Sequence, residues 1–344
     1  MLPLDLLEII IGILDSSTIS SCCRVNKLFY SVSLDVLYRH IQPTRSNLLR
    51  ICVNLSSNPQ LAARVRSFVI PMMDGITIFR VVIQQVLLHL TRLRTLVLHF
   101  EQDCSWILPS KSTCPFQLNA FSTSFSYNSH LASFLESQVH LQHLHLASAV
   151  AHDALVPPCD DKLLPNLVSL HAPLPFVEAW TTRRPIHSIS ILSQSASSMG
   201  ITESSARSVL STLTTSSSPS GVQRLQLPLT FVNYLDFKEF RHLLPSVTIM
   251  ALDADTVIAD DPDEISSLTD AIESFVYHNP QLTHLSIQFF HFPAYRVQNL
   301  DYSEMITSIF AASDPLAYVT LTFNNHRLKY ICKRTDGRNW LIVN

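Results

Sequence analysis

The chain has 344 residues, of which 47% are hydrophobic and 15% charged, with a formal net charge of −3. Such a chain has ample material for a large core, which excludes a disordered tail protein, and it lacks the broad basic field that nucleic-acid binding needs. Only five glycines are present, which argues against glycine-rich phosphate loops.

Seven cysteines are an odd number and show no C-x-x-C spacing, so reduced thiols in cytoplasm or nucleus fit better than a disulfide framework or a zinc knuckle. The first apolar run carries Asp5 and Glu8 and lacks a basic leader. It is also shorter than the ~20 apolar residues of a membrane span. No membrane contact is expected.

In chain order, the first predicted element is a helix. Pro3 suits a first helical turn, and Asp5 and Glu8 suit the positive end of the helix dipole. Leu6, Ile10, Ile13 and Leu14 recur at helical spacing, and Leu7 and Ile11 widen the stripe. Asp15 to Thr18 break the pattern and offer caps for a second helix carrying Ile19, Cys22, Cys23, Val25, Leu28 and Phe29. A third runs from about Leu34 to Ile41 and stops before Pro43. Three helices in about forty residues make a small core. The first is apolar on nearly every side, so a partner or the following repeats must cover part of it.

This segment resembles the F-box motif. Leu2-Pro3 matches its opening pair, and Leu6, Leu7 and Ile10 match the apolar positions of its first helix. Leu14 and Ile19 match the next pair. Val25-Asn26-Lys27-x-Phe29 is similar to the Val-Ser/Cys-Lys/Arg-x-Trp/Phe stretch, with Asn26 departing at a small-residue position. Leu37-Tyr38-Arg39 is similar to the closing Leu-Trp/Tyr-Arg. The resemblance covers residues 2–41 and implies docking to an SKP-family adaptor and, through it, to a cullin. The contact residues it implies are Leu2, Pro3, Leu6, Leu7, Ile10, Leu14, Ile19, Val25, Phe29, Leu37 and Tyr38.

Beyond residue 42 one pattern recurs, L-x-x-L-x-L with other apolar residues allowed. Ten units begin at residues 65, 93, 118, 141, 167, 186, 222, 247, 282 and 316, at intervals of 19 to 36. Helical stretches lie between them, at 48–55, 78–90, 130–136, 203–213 and 264–277. Strand–helix alternation with apolar strands predicts a parallel sheet lined by helices. The fold class is thus α/β: a small N-terminal three-helix hook, then an irregular leucine-rich-repeat horseshoe with its sheet inside and helices outside. The resemblance is to divergent leucine-rich repeats. Residues 193–221 are rich in Ser and Thr and are expected to form a flexible crossover. At the end, Asp336-Gly337 predicts a hairpin that caps the last repeat. The implied domains are 1–42, 43–326 and 327–344.

No nucleophile elbow, zinc-protease or P-loop motif occurs, so the chain is read as a non-enzyme. Fifteen histidines do not assemble a ligand set with supporting partners, and neither metal nor cofactor is expected. The acidic group Asp253, Asp255, Asp260, Asp261, Asp263 and Glu264 is expected to be a solvated loop. Period-2 alternation sends His99, His143, His145, His171, Arg224, Gln226, His284 and Tyr318 to the concave strand face. They are the candidate contacts for an unidentified protein substrate, with His145 expected beside His171. The expected function is substrate recognition within an SCF-type ubiquitin ligase. The alternative is a non-ligase repeat scaffold whose helices only cap the array.

Overall fold

The computed structural model describes residues 3–73, 75–147, 160, 162–192, 203–229, 231, 237–254, 262–290, 302–324, 327–335 and 340–342. The chain forms two compact units, Met1–Leu155 with Lys162–Asn166, and Val156–Asp161 with Leu167–Asn344.

The first unit opens with α1 (Leu4–Gly12), α2 (Ser16–Cys22) and α3 (Lys27–Arg39). Asp15 caps α2, its carboxylate accepting from the backbone N–H of Ser17 and Thr18. Asn26 caps α3 by accepting from Phe29 N at 3.0 Å. That cap corrects the expected boundaries. Leu28 and Phe29 belong to the third helix, which starts seven residues earlier than the apolar pattern alone implies, and the F-box departure at Asn26 is a helix start. Leu7, Ile11, Ile19 and Val32 form the hook's buried core, with Leu14, Phe29, Val36 and Leu37 packed against it.

A two-residue strand follows, β1 (His40–Ile41), where the third helix was expected to continue. Then come α4 (Leu48–Ser57), α5 (Pro59–Ala62), β2 (Ser67–Ile70), a 3₁₀ turn and α6 (Arg80–Leu87), β3 (Thr95–Leu98), β4 (Ala120–Thr123), α7 (Ser129–Ser137) and β5 (His143–Leu146). Strands β1 to β5 pair in chain order, all parallel.

In the second unit β6 (Ser169–Ala172), α8 (Leu174–Thr181), β7 (Ser188–Ile191), α9 (Glu203–Leu213), β8 (Arg224–Pro228), α10 (Phe237–Leu243) and β9 (Ile249–Ala254) come first. α11 (Pro262–His278), β10 (His284–Phe289), α12 (Tyr302–Ala312), β11 (Tyr318–Phe323), β12 (Leu328–Arg334) and β13 (Trp340–Ile342) complete it. Strands β6 to β11 are parallel and in chain order. β12 and β13 then turn antiparallel, which is the terminal hairpin. Its Asp336-Gly337 turn lies outside the described residues.

All ten L-x-x-L-x-L units are strands, and each unit of the molecule is a stack of leucine-rich-type strand–crossover repeats. The pattern works because its three apolar positions are consistently sequestered. Leu93, Leu96 and Leu98, or Leu282, Leu285 and Ile287, are at most 1% exposed. Burying each such side chain contributes about 1.5–3 kcal/mol. The x positions between them stay half-exposed.

Two loop expectations are revised. Ser and Thr density predicted a flexible crossover over 193–221. Residues 193–202 lie outside the described residues, and 203–213 form the helix that their pattern predicted. The following turn is anchored by Ser216 Oγ, whose single proton is shared between Ile186 O at 2.7 Å and Arg184 O at 3.0 Å. The hydroxyls there cap backbone carbonyls instead of solvating a loop. Asp253 is also not a solvated loop residue. It is 5% exposed on β9, and Gln226 Nε2 donates to both its carboxylate oxygens at 2.9 and 2.8 Å. The rest of that acidic group, Asp255, Asp260 and Asp261 with the side chains of Asp263 and Glu264, lies outside the described residues.

Candidate functional site

Two kinds of surface emerge: the hook, and the half-exposed strand face of each unit. The hook is built on α1, which carries two apolar stripes. Leu7, Ile11 and Leu14 (i, i+4, i+7) face α2 and α3. Leu6, Ile9, Ile10 and Ile13 (i, i+3, i+4, i+7) form the other stripe and are 43–80% exposed. Leu4, Val25, Leu28 and Tyr30 add exposed apolar surface nearby in sequence.

The motif residues therefore divide by role. Pro3, Leu6, Ile10 and Val25 are exposed. Leu7 and Ile19 are buried in the hook's own core, and Leu14, Phe29 and Leu37 support it. Tyr38 is half-buried, its hydroxyl accepting from Asn54 Nδ2 at 3.2 Å. Leu2 lies outside the described residues. The resemblance did not single out Ile9, Ile13, Leu28 and Tyr30. The signal for Ile9 and Ile13 was the second i, i+3, i+7 series on α1.

The hook's other side is tied down. Arg64 of the following segment donates to Asp35 at 2.5 Å and to Ser31 O at 3.0 Å, and Arg39 lies 3.5 Å from Glu8.

On the strand face of the first unit, His99, Ser122 and His145 form a chain. His99 Nε2 lies 2.9 Å from Ser122 Oγ, which lies 3.0 Å from His145 Nδ1. One hydroxyl carries one proton, so Ser122 donates to one ring and accepts from the other. Burial holds both histidines below their usual pKa, and the His99 charge adds to the effect at His145. His143 stands exposed at the start of β5. His145 pairs laterally with Ser122 within the first unit, and His171 pairs with Ser190 within the second. A cavity of about 330 Å³, which the sequence did not indicate, opens where the turns into β3, β4 and β5 meet. Arg92, Arg94 and His140 line it.

The second unit's face is organised by register. Arg224, Ile249, His284, Tyr318 and Lys333 are laterally paired across β8 to β12. His284 and Tyr318 stack, with centroids 4.7 Å apart and rings 14° from parallel. Thr283 Oγ1 lies 2.8 Å from His284 Nδ1, and Lys333 Nζ sits 5.9 Å from the Tyr318 ring centroid. Burial, then the Arg224 charge, push the His284 pKa down. Gln226, expected as an exposed contact, is engaged with Asp253.

Among the described residues no group of three or more His, Cys, Asp or Glu is placed to hold a metal ion, and no helix is long and apolar enough to cross a membrane. No family model matches the chain, and no curated protein matches it. Among solved structures, the leucine-rich repeat-containing protein LegL7 from Legionella pneumophila aligns with a TM-score of 0.42 at 14% identity, over 83% of this chain and 90% of that one.

Proposed function

We propose that this chain is a substrate receptor of an SCF-type ubiquitin ligase. The hook docks to an SKP-family adaptor, and through it to a cullin, while the repeats hold a protein client on their strand faces. The observation that carries the proposal is the second apolar stripe of α1. Leu6, Ile9, Ile10 and Ile13 are uncovered on a helix whose opposite stripe already closes the hook's core. A stripe of four large aliphatic residues facing water is costly unless a partner removes it from solvent. The order and spacing of the F-box-like residues supply the kind of partner. No step of this reading calls for catalysis by the chain itself.

The test is capture of a purified SKP-family adaptor. Ile9→Asp with Ile13→Asp puts two charges on the exposed stripe without touching the core, so capture is lost while the melting temperature holds. Full capture by this variant sinks the ligase reading. The second reading, a scaffold whose hook only caps the repeats, draws on the Arg64–Asp35 and Asn54–Tyr38 links between hook and repeats. It predicts no adaptor capture by the unaltered chain.

A further inference from the structure

The strand face of the second unit has an uneven charge distribution. The residues on it can be read row by row, because parallel pairing in register brings equivalent positions side by side. The first row is Ser169, Ser188, Arg224, Ile249, His284, Tyr318, Lys333 and Leu341. The next runs through Gln226, Ala251, Ser286, Thr320 and Ile331, and the third through Pro228, Asp253, Gln288, Thr322 and Lys329. Three fixed cations, Arg224, Lys329 and Lys333, stand exposed on this face. Its one carboxylate in these rows, Asp253, is buried under Gln226. Among the described residues none of the three cations has a carboxylate within ion-pair distance. In a chain of net charge −3, this face is a local positive exception.

Between Arg224 and Lys333 lies the His284–Tyr318 stack. Its parallel rings cover each other's faces and present their half-exposed edges to the open side of the sheet. Burial and then the Arg224 charge disfavour charge on His284, so the ring stack adds contact area and the cations add charge.

We propose that this face binds an acidic polypeptide segment laid across strands β8 to β12. Carboxylates would meet Arg224 and Lys333, with an aromatic side chain packed against the exposed ring edges of His284 and Tyr318. The spacing sets a rule for the segment. Arg224 and Lys333 are four strand steps apart in the row, or about 19 Å at ~4.8 Å per step. An extended peptide advances ~3.3 Å per residue, so two acidic residues about six positions apart span the pair. A nucleic-acid strand is the poorer fit. Three cations on one face of an anionic chain do not make the basic tract that a phosphate backbone requires. The proposal names the client chemistry of the receptor reading and rests on that reading for a client to exist. It is tested on the chain alone, without adaptor.

The test is fluorescence anisotropy of the full chain with a labelled extended peptide carrying Asp and Glu about six positions apart and a Phe between them. Saturable binding that weakens with added salt is expected. Arg224→Gln and Lys333→Gln should each lower affinity about tenfold, the value of one charged hydrogen bond. Tyr318→Leu should lower it less, and Arg207→Gln, on α9 and paired with Glu239, should leave it unchanged. Both face cations are exposed, so their variants keep the parental melt. Three results overturn the proposal: no binding to the parent, equal binding of the Asn/Gln version of the peptide, or an oligonucleotide of matched charge bound as tightly. Adaptor capture by the same preparation is a separate readout. Its loss would sink the ligase reading and leave the peptide result standing.

Discussion

The hook and the repeats use the same aliphatic residues to opposite ends. In a repeat such as Leu282, Leu285 and Ile287, every apolar position of the motif is within 1% of complete burial. In α1 the apolar residues divide. Leu7 and Ile11 are buried, while Ile9 and Ile13 are 62% and 80% exposed. A strand has only two faces, so period-2 alternation can place all its aliphatic residues on one. A helix apolar on two stripes cannot do so within a three-helix hook, and one stripe is left facing water. Excess hydrophobicity on a small element is therefore what the proposed docking role rests on, and the leucines that build the fold carry no such signal.

That contrast can be broken most directly by truncation. Leu225→Ala and Leu96→Ala, at 1% and 0% exposure, are expected to cost about 2–5 kcal/mol each. Ile13→Ala should stay within about 0.5 kcal/mol. Urea unfolding reads both, and equal costs would erase the distinction. A second measurement sharpens it. The hook core has four buried hydrophobic residues, so native-state hydrogen exchange should show α1 amides opening well before those of β3 and β4. Simultaneous exchange would make hook and repeats one cooperative body.

The third effect is pH. Burial keeps His99 and His145 below the usual histidine value of about 6.5. On acidification the unfolded chain takes up protons before the folded one. The stability these groups contribute is complete above about pH 6.5 and is lost as pH falls below it. The melting temperature should therefore drop between pH 7.5 and pH 5.5, and His99→Gln with His145→Gln should flatten the drop. His284 is lowered as well, so the residual slope should shrink further when His284→Gln is added. An undiminished slope in the triple variant would assign the effect elsewhere.

The smallest effect contrasts two glycines. Gly12 ends α1 with open space around it, so Gly12→Ala should stabilise by about 0.5 kcal/mol through reduced backbone freedom. Gly221 has φ +65°, and a methyl there would run into Ser246 Oγ, which donates to Val222 O. Gly221→Ala should cost about 1–2 kcal/mol. Thermal melts of the two variants moving in the same direction would refute the assignment.

The repeats were legible because their period is short and each unit repeats the same burial. All ten strands lie where the spacing puts them. β1 was not legible, since two residues carry no period and become a strand only through pairing with Ser67 and Phe68. The start of α3 was hidden because Leu28 and Phe29 continue an apolar run, and the deciding signal was a single Asn side chain. Helices α5, α8, α10 and α12 were missed. α5 is a single turn, α8 follows directly on Pro173, and α10 is seven residues long. On the strand faces, alternation gave the direction of each candidate side chain but not its occupation. Gln226 was legible as polar and outward, yet it serves Asp253. Ser122 was unremarkable in sequence and became the link between two histidines only once β3, β4 and β5 lay side by side.

Strand starts are separated by anything from 19 to 36 residues, yet the strands pair one to one without slippage within each unit. Nearly doubling a connection costs only about 0.6 kcal/mol in closure entropy, whereas a one-residue slip would turn every leucine toward water. Selection on such a chain is therefore strict about parity along each strand and lenient about the length between strands. Insertions and deletions can accumulate in the crossovers without moving a rung. The ladder holds its register while the spacing between its rungs varies almost twofold.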